Sequence, residues 1–154
     1  MSLKPSVERV RQTFRSTGLT VKVTEFLEST RTAAEAIGTT AGQIAKSLVF
    51  MVGDEPVLVL ASGVNRVDVE KMNRLLGKKI INPDAETVKN VTGFSIGGVS
   101  PVAHSKRLRT LADEDLLNFS LVYAAAGSPN AVFAVSPGDL IRITKAEVIN
   151  IKGG

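Results

Sequence analysis

Apolar residues recur at two spacings along this chain, and the changes of spacing mark its elements. Val7, Val10 and Phe14 share one side of a 3.6-residue period while Arg9, Arg11 and Arg15 fall elsewhere, so residues 5–18 predict an amphipathic helix stopped by Gly18. Residues 21–26 alternate, with Val21 and Val23 set against Lys22 and Thr24, and predict a strand. Thr32 with Glu35 reads as a capping box for a short helix closed by Gly38, and Thr40 with Gln43 as a second box opening a one-turn helix. That turn runs into an apolar stretch, residues 44–52, with one charge set into it, Lys46. The turn at 53–56 leads to a second apolar run, 57–62, and the two predict an antiparallel hairpin.

Beyond the hairpin, residues 68–76 predict a helix with Val69, Met72, Leu75 and Leu76 inward, stopped by Gly77. Pro83 and Asp84 open another through Val88 and Val91 to Gly93, and Ser136 with Pro137 caps a last one. Short strands are expected at 79–82, 107–111, 121–126, 131–135 and 148–151. Helices and strands mix irregularly around a hairpin. The expected fold is therefore one α/β domain over residues 1–154, a mixed, barrel-like sheet with surrounding helices, not a regular βαβ winding.

Composition narrows the classes. The 154 residues are 44% hydrophobic and 22% charged, as in a globular domain with a sizeable core. No apolar run approaches the ~20 residues of a membrane span. Residues 1–5 lack the apolar centre of a signal peptide, and cysteine is absent, which removes disulfides, thiolate metal sites and a Cys nucleophile. A cytoplasmic location without membrane contact is the expectation. The net charge of +4 permits a polyanionic partner without demanding one. Basic residues gather at Arg66, Lys71, Arg74, Lys78 and Lys79, and again at Lys106, Arg107 and Arg109. Six Phe, one Tyr and no Trp do not make a base-stacking platform.

The candidate chemistry is sparse. Lys46, where a helical turn hands over to a strand, is either a snorkelling surface residue or a fixed cation for an anionic or carbonyl ligand. Gly97, Gly98, Val99, Ser100 and Pro101 form a loop whose consecutive N–H groups can present a nest, or a plain connection between elements. Neither a Walker loop nor a dinucleotide fingerprint is present. Gly127 and Ser128, after Ala124, Ala125 and Ala126, suit a pocket wall and suit close strand packing equally. His104, the single histidine, reads as a surface or pocket-rim residue, and no Gly-x-Ser-x-Gly accompanies it. Asp113, Glu114 and Asp115 read as a helix start. A conventional nucleophile, metal centre or acid–base pair is hard to assemble. What remains is a cation and glycine loops that bind and polarise.

Three stretches carry a resemblance: Gln43-Ile44-Ala45-Lys46-Ser47-Leu48, then residues 92–101 from Thr92 to Pro101, then Ala126-Gly127-Ser128-Pro129 followed by Gly138-Asp139-Leu140. In this order they resemble the YbaK/ProX family of aminoacyl-tRNA deacylases, trans-editing proteins related to the editing domain inserted in bacterial prolyl-tRNA synthetases. The resemblance covers about the whole chain. It implies hydrolysis of the ester of mischarged aminoacyl-tRNA, with tRNA(Pro) carrying alanine, 2-aminobutyrate or cysteine as the expected substrate. It implies Lys46 as the functional lysine. Gly97, Gly98, Val99, Ser100 and Pro101 would hold the ester, and Gly127 and Ser128 would shape the pocket. It implies no cofactor, the acceptor end of aminoacyl-tRNA as partner, and prolyl-tRNA synthetase as a further one. Pro129-Asn130-Ala131-Val132 departs from the more basic pattern of the cysteine-removing branch, which leaves the amino acid open. Two other readings stand beside this one: a non-catalytic tRNA- or synthetase-binding module of the same fold, and a small-nucleotide or anion-binding protein using the same loops.

Overall fold

The computed structural model describes residues 4–26 and 33–153. Its centre is the hairpin of β2 (Ile44–Val52) and β3 (Glu55–Ser62), paired from Ala45↔Ser62 to Val52↔Glu55. Gly53 makes the two-residue turn with φ +64, a value a glycine adopts without steric cost. β3 is buried on both sides. Leu58 and Leu60 enter a larger apolar cluster, and Val57, Val59 and Ala61 enter a smaller one with Met72, Leu111 and Ile151. An unbroken apolar run instead of an alternating one follows from that double burial.

The other strands are β1 (Val23–Glu25), β4 (Ile80–Ile81), β5 (Arg109–Asp113), β6 (Val122–Ser128), β7 (Ala131–Val135) and β8 (Glu147–Ile149). The sheet runs β1-β7-β6-β2-β3-β5-β8, with β4 added to β2. The β2–β6, β3–β5 and β5–β8 pairs are parallel and the others antiparallel, so the sheet is mixed as expected. The helices are α1 (Pro5–Ser16), α2 (Ala33–Ile37), α3 (Val69–Leu76), α4 (Ala85–Thr92) and α5 (Pro137–Thr144). Val7, Val10 and Phe14 of α1 are fully buried, and Phe14 meets Phe133 edge-on at 4.7 Å. Asp68, Asp84 and Ser136 each accept a backbone N–H at the start of their helices. The Thr32 half of the first capping box lies outside the described residues. In the second, the Thr40 N–H reaches Gln43 Oε1 at 3.4 Å.

One expectation is corrected within α3. Met72 is buried and Leu76 packs behind it, whereas Val69 is 44% and Leu75 57% exposed. The buried stripe is a single i, i+4 pair. Val69 in the first turn and Leu75 beside the stripe stay in water.

One edge of β2 is shared by two partners. At its start Ile44 and Ala45 pair with Tyr123 and Ala124 of β6, and at its end Met51 and Val52 pair with Ile81 and Ile80 of β4. Between them the edge is open. Antiparallel pairing sends the backbone groups of alternate residues to opposite edges. The Gly63 N–H bonds Ile44 O, so the backbone groups of Lys46, Leu48 and Phe50 serve β3, and those of Ser47 and Val49 face the gap.

Candidate functional site

The gap is where the candidate residues gather. β6 leaves β2 after Ala124, and a bulge at Ala126 and Gly127 turns it further, since Ala125 pairs with Val132 but Ser128 pairs with Ala131. Ala124 and Ala126 are in the core, which leaves Ala125 on the side of the opening. The loop after α4 lies across the front. Thr92 Oγ1 donates to Val88 O and accepts from the Phe94 N–H, which pins the loop's start. Arg9 of α1 donates to Gly93 O at 3.2 Å and lies over the Phe94 ring at 4.4 Å. At the far end Ser100 is fully buried: its Oγ accepts the Val102 N–H, and its carbonyl accepts from His104 Nε2 at 2.6 Å.

The resulting cavity holds about 310 Å³. Lys46, Ser47, Gly97, Val99 and Pro129 surround it, with Ala33, Ala45, Ala125 and Ala131 among its small walls. Lys46 is half-buried, and among the described residues its Nζ makes a single hydrogen bond, 3.4 Å to Asn65 O. No carboxylate pairs with it among the described residues. The Asn65 amide donates to both Asp113 Oδ2 and Asp115 Oδ2 at 2.8 Å, so the peptide carbonyl offered to Lys46 is fixed from behind. The Lys152 ammonium, bonded to Asp115 at 2.7 Å, holds that carboxyl below its ordinary range.

The predicted residues are not all brought to one place. Lys46, Gly97 and Val99 share the cavity. Gly98, Gly127 and Ser128 line a neighbouring hollow of about 290 Å³, reached past Pro129. Ser100 is an internal anchor, and Pro101 faces a third hollow beside His104. The expected run of free N–H groups is also interrupted. Gly98 N–H turns back to Ser95 O at 2.9 Å, which closes a turn over Gly97 (φ +90). At Gly98 an added Cβ would stand 3.0 Å from the Ser128 backbone, and at Gly127 it would stand 2.6 Å from Ser6 O. These two glycines permit chain to pack on chain.

Two residues escape the sequence reading. Ser47 Oγ is buried with no hydrogen-bond partner among the described residues, in the wall of the Lys46 cavity. Such an orphan costs roughly 1–3 kcal/mol, and its position on the open edge of β2 makes it a ready partner for a ligand. Asp113 is 1% exposed and accepts from Ser62 N, Asn65 Nδ2 and Asp115 N, so it is a buried hub as well as a cap. Its acidic neighbours make it look in sequence like an ordinary helix start. Among the described residues no group of His, Asp and Glu could hold a metal ion. No helix there is long and apolar enough to cross a membrane.

Comparison with known proteins points to one kind of domain. The model of the aminoacyl-tRNA editing domain matches residues 24–143. The uncharacterized protein YwhH of Bacillus subtilis is 33% identical over 147 residues, which is 93% of this chain and 94% of that one. The proline–tRNA ligase of Ligilactobacillus salivarius is 34% identical over 84 residues, 54% of this chain but 15% of the ligase. A crystal structure of a proposed trans-editing enzyme for prolyl-tRNA synthetase superposes with a TM-score of 0.95 at 44% identity, covering 99% of this chain and 100% of that one.

Proposed function

Because the chain belongs to the aminoacyl-tRNA editing domain family, we propose that it acts in trans, hydrolysing the ester between a wrongly attached small amino acid and tRNA(Pro) in the cytoplasm. The observation that carries this reading is the cavity at the open edge of β2. It joins a lysine that has no carboxylate partner among the described residues, a glycine loop and alanine walls, and those residues place no Ser–His or Cys–His pair in it. Its chemistry is that of binding and polarisation. The Lys46 ammonium and the backbone N–H groups of Gly97 and Val99 would stabilise negative charge developing on the carbonyl oxygen. A water molecule would add to the carbonyl carbon, the bond to the ribose oxygen would break, and that oxygen would leave with a proton. Ser47 Oγ would position the ester or the water. Four alanines in the wall favour a side chain of alanine or 2-aminobutyrate size. A synthetase pocket separates such neighbours by only ~1–3 kcal/mol, which leaves work for a second hydrolytic step.

The missing nucleophile also suits a second reading, a module that grips aminoacyl-tRNA without turning it over. One experiment separates them. Single-turnover deacylation is followed with tRNA(Pro) charged in turn with alanine, 2-aminobutyrate, cysteine, serine, threonine and proline, for wild type and Lys46→Ala. Selective loss of one small amino acid, slowed about 100-fold in the variant, is the expected result. Binding of the charged tRNA with no turnover above the buffer rate favours the module.

A further inference from the structure

A second concave region lies on the other side of the loop that closes the Lys46 cavity. Two adjoining hollows, of about 330 and 470 Å³, share Arg107, Leu108, Thr110, Thr144 and Lys145 in their walls. Lys106 joins the first. Lys106, Arg107 and Lys145 are all exposed, and none has a carboxylate partner among the described residues. The one acid in these walls, Glu147, is bonded to Arg109 at 2.8 Å. Three uncompensated cations thus surround one groove.

The backbone singles out the same place. Among the described residues the non-glycine positions with positive φ are Ala103 (+67) and Lys145 (+55), and both line this groove. Lys145 ends α5 in the left-handed conformation, where α3 and α4 carry Gly77 and Gly93. A glycine would suit that position better. A cation for the helix dipole does not account for the choice, because Arg142 already occupies the last turn. Strain held at a surface position is retained where the side chain has a task.

We propose that this groove grips the sugar–phosphate backbone of the RNA whose 3′ end enters the Lys46 cavity. The choice of RNA as the polyanion rests on the editing reading above. The cations themselves require only phosphate. The loop that runs from Gly97, in the cavity, to Pro101, in the groove, is at most about 14 Å long. The two sites are therefore close enough for one acceptor end to occupy both. The other basic cluster is a poorer candidate: Lys71 bonds Lys152 O, and Asp68 and Glu70 stand beside it in sequence.

The test uses an uncharged acceptor-stem minihelix of tRNA(Pro), so that no ester chemistry enters. Affinity is measured against salt for wild type, Lys106→Ala, Arg107→Ala, Lys145→Gly and, as control, Arg74→Ala. Each groove variant is expected to weaken binding several-fold and to lower the slope of log K against log salt by about 0.7–0.9 for each phosphate it no longer neutralises. The control should leave both unchanged. Lys145→Gly is the decisive variant, since its Tm should stay level or rise while affinity falls, an outcome misfolding cannot produce. Unchanged affinity and slope in all three groove variants overturns the proposal, and so does binding to phosphatidylglycerol vesicles with none to the minihelix. If no ester is ever hydrolysed but the minihelix binds through the groove, the editing reading fails and this one holds. If turnover is normal and indifferent to the groove variants, the reverse is true.

Discussion

Lys46 and Asp113 are charges at the same end of the central hairpin, and the fold treats them in opposite ways. Asp113 is almost fully buried and accepts three N–H donors, from Ser62, Asn65 and Asp115. Lys46 is half-buried and has, among the described residues, one long bond, to Asn65 O. A buried charge costs several kcal/mol unless its hydrogen-bonding capacity is filled. Asp113 meets that condition within the chain, so its role is complete without a ligand. Lys46 does not meet it among the described residues, and the donors they leave unused are available to one. Asn65 links the two. Its side chain is taken up by the carboxylates, and its peptide carbonyl is thereby held where the lysine can use it.

The contrast predicts different losses. Asp113→Ala should leave the Ser62 N–H unpaired in the interior, take away one of the two acceptors of the Asn65 amide, and cost about 3 kcal/mol in urea unfolding. A loss below about 1 kcal/mol would mean that water replaces the carboxylate and that the hub is not structural. Lys46→Ala should change unfolding free energy by less than about 1 kcal/mol, because the ammonium is weakly bound. Under the proposed function it should slow deacylation about 100-fold, close to 2.7 kcal/mol of barrier. Equal damage to stability and to activity in both variants would erase the distinction between them.

That distinction is only partly visible in the sequence. The hairpin, the helix caps at Asp68, Asp84 and Ser136, and the place of Lys46 on a strand all follow from local pattern. So does the joining of Lys46 with the Gly97 loop, once the resemblance is granted. The roles of Gly98 and Gly127 do not follow. A missing Cβ serves a ligand or another stretch of chain equally well, and only the fold shows Ser128 and Ser6 in that space. Asp113 is hidden because its donors lie 51 and 48 residues away, at Ser62 and Asn65. Ser47 is hidden because an orphaned hydroxyl is a property of its surroundings. Lys145 gives no signal either, since a lysine does not mark a left-handed turn in sequence as a glycine or asparagine does.

Ser47 sharpens the comparison at a smaller scale. Its buried hydroxyl carries a desolvation cost that no bond among the described residues offsets. Ser47→Ala should therefore stabilise the protein, by about 1 kcal/mol in urea unfolding, while reducing deacylation. A destabilised variant would show that the hydroxyl has a partner, such as a bound water, in the free protein.

The smallest effect concerns His104, whose Nε2 donates to Ser100 O at the end of the same loop. Burial is the main cause that lowers its pKa from the ordinary 6.5; the Ser100 bond opposes the shift and the Arg9 charge adds to it. A histidine with a depressed folded pKa binds fewer protons in the native state than in the unfolded one. Its contribution is therefore intact above pH 6.5 and is lost as pH falls from there through the folded value. Urea unfolding of wild type between pH 7.5 and about pH 5 should show this loss. His104→Gln, which can still donate to Ser100 O, should remove that part of the slope and leave the carboxylate-driven decline at lower pH. If the two profiles stay parallel across this window, His104 titrates alike in both states. The anchor at Ser100 then draws no pH dependence from it, and the loop's position relative to Lys46, held also by Arg9, Thr92 and the buried Ser100 hydroxyl, is the same across this window.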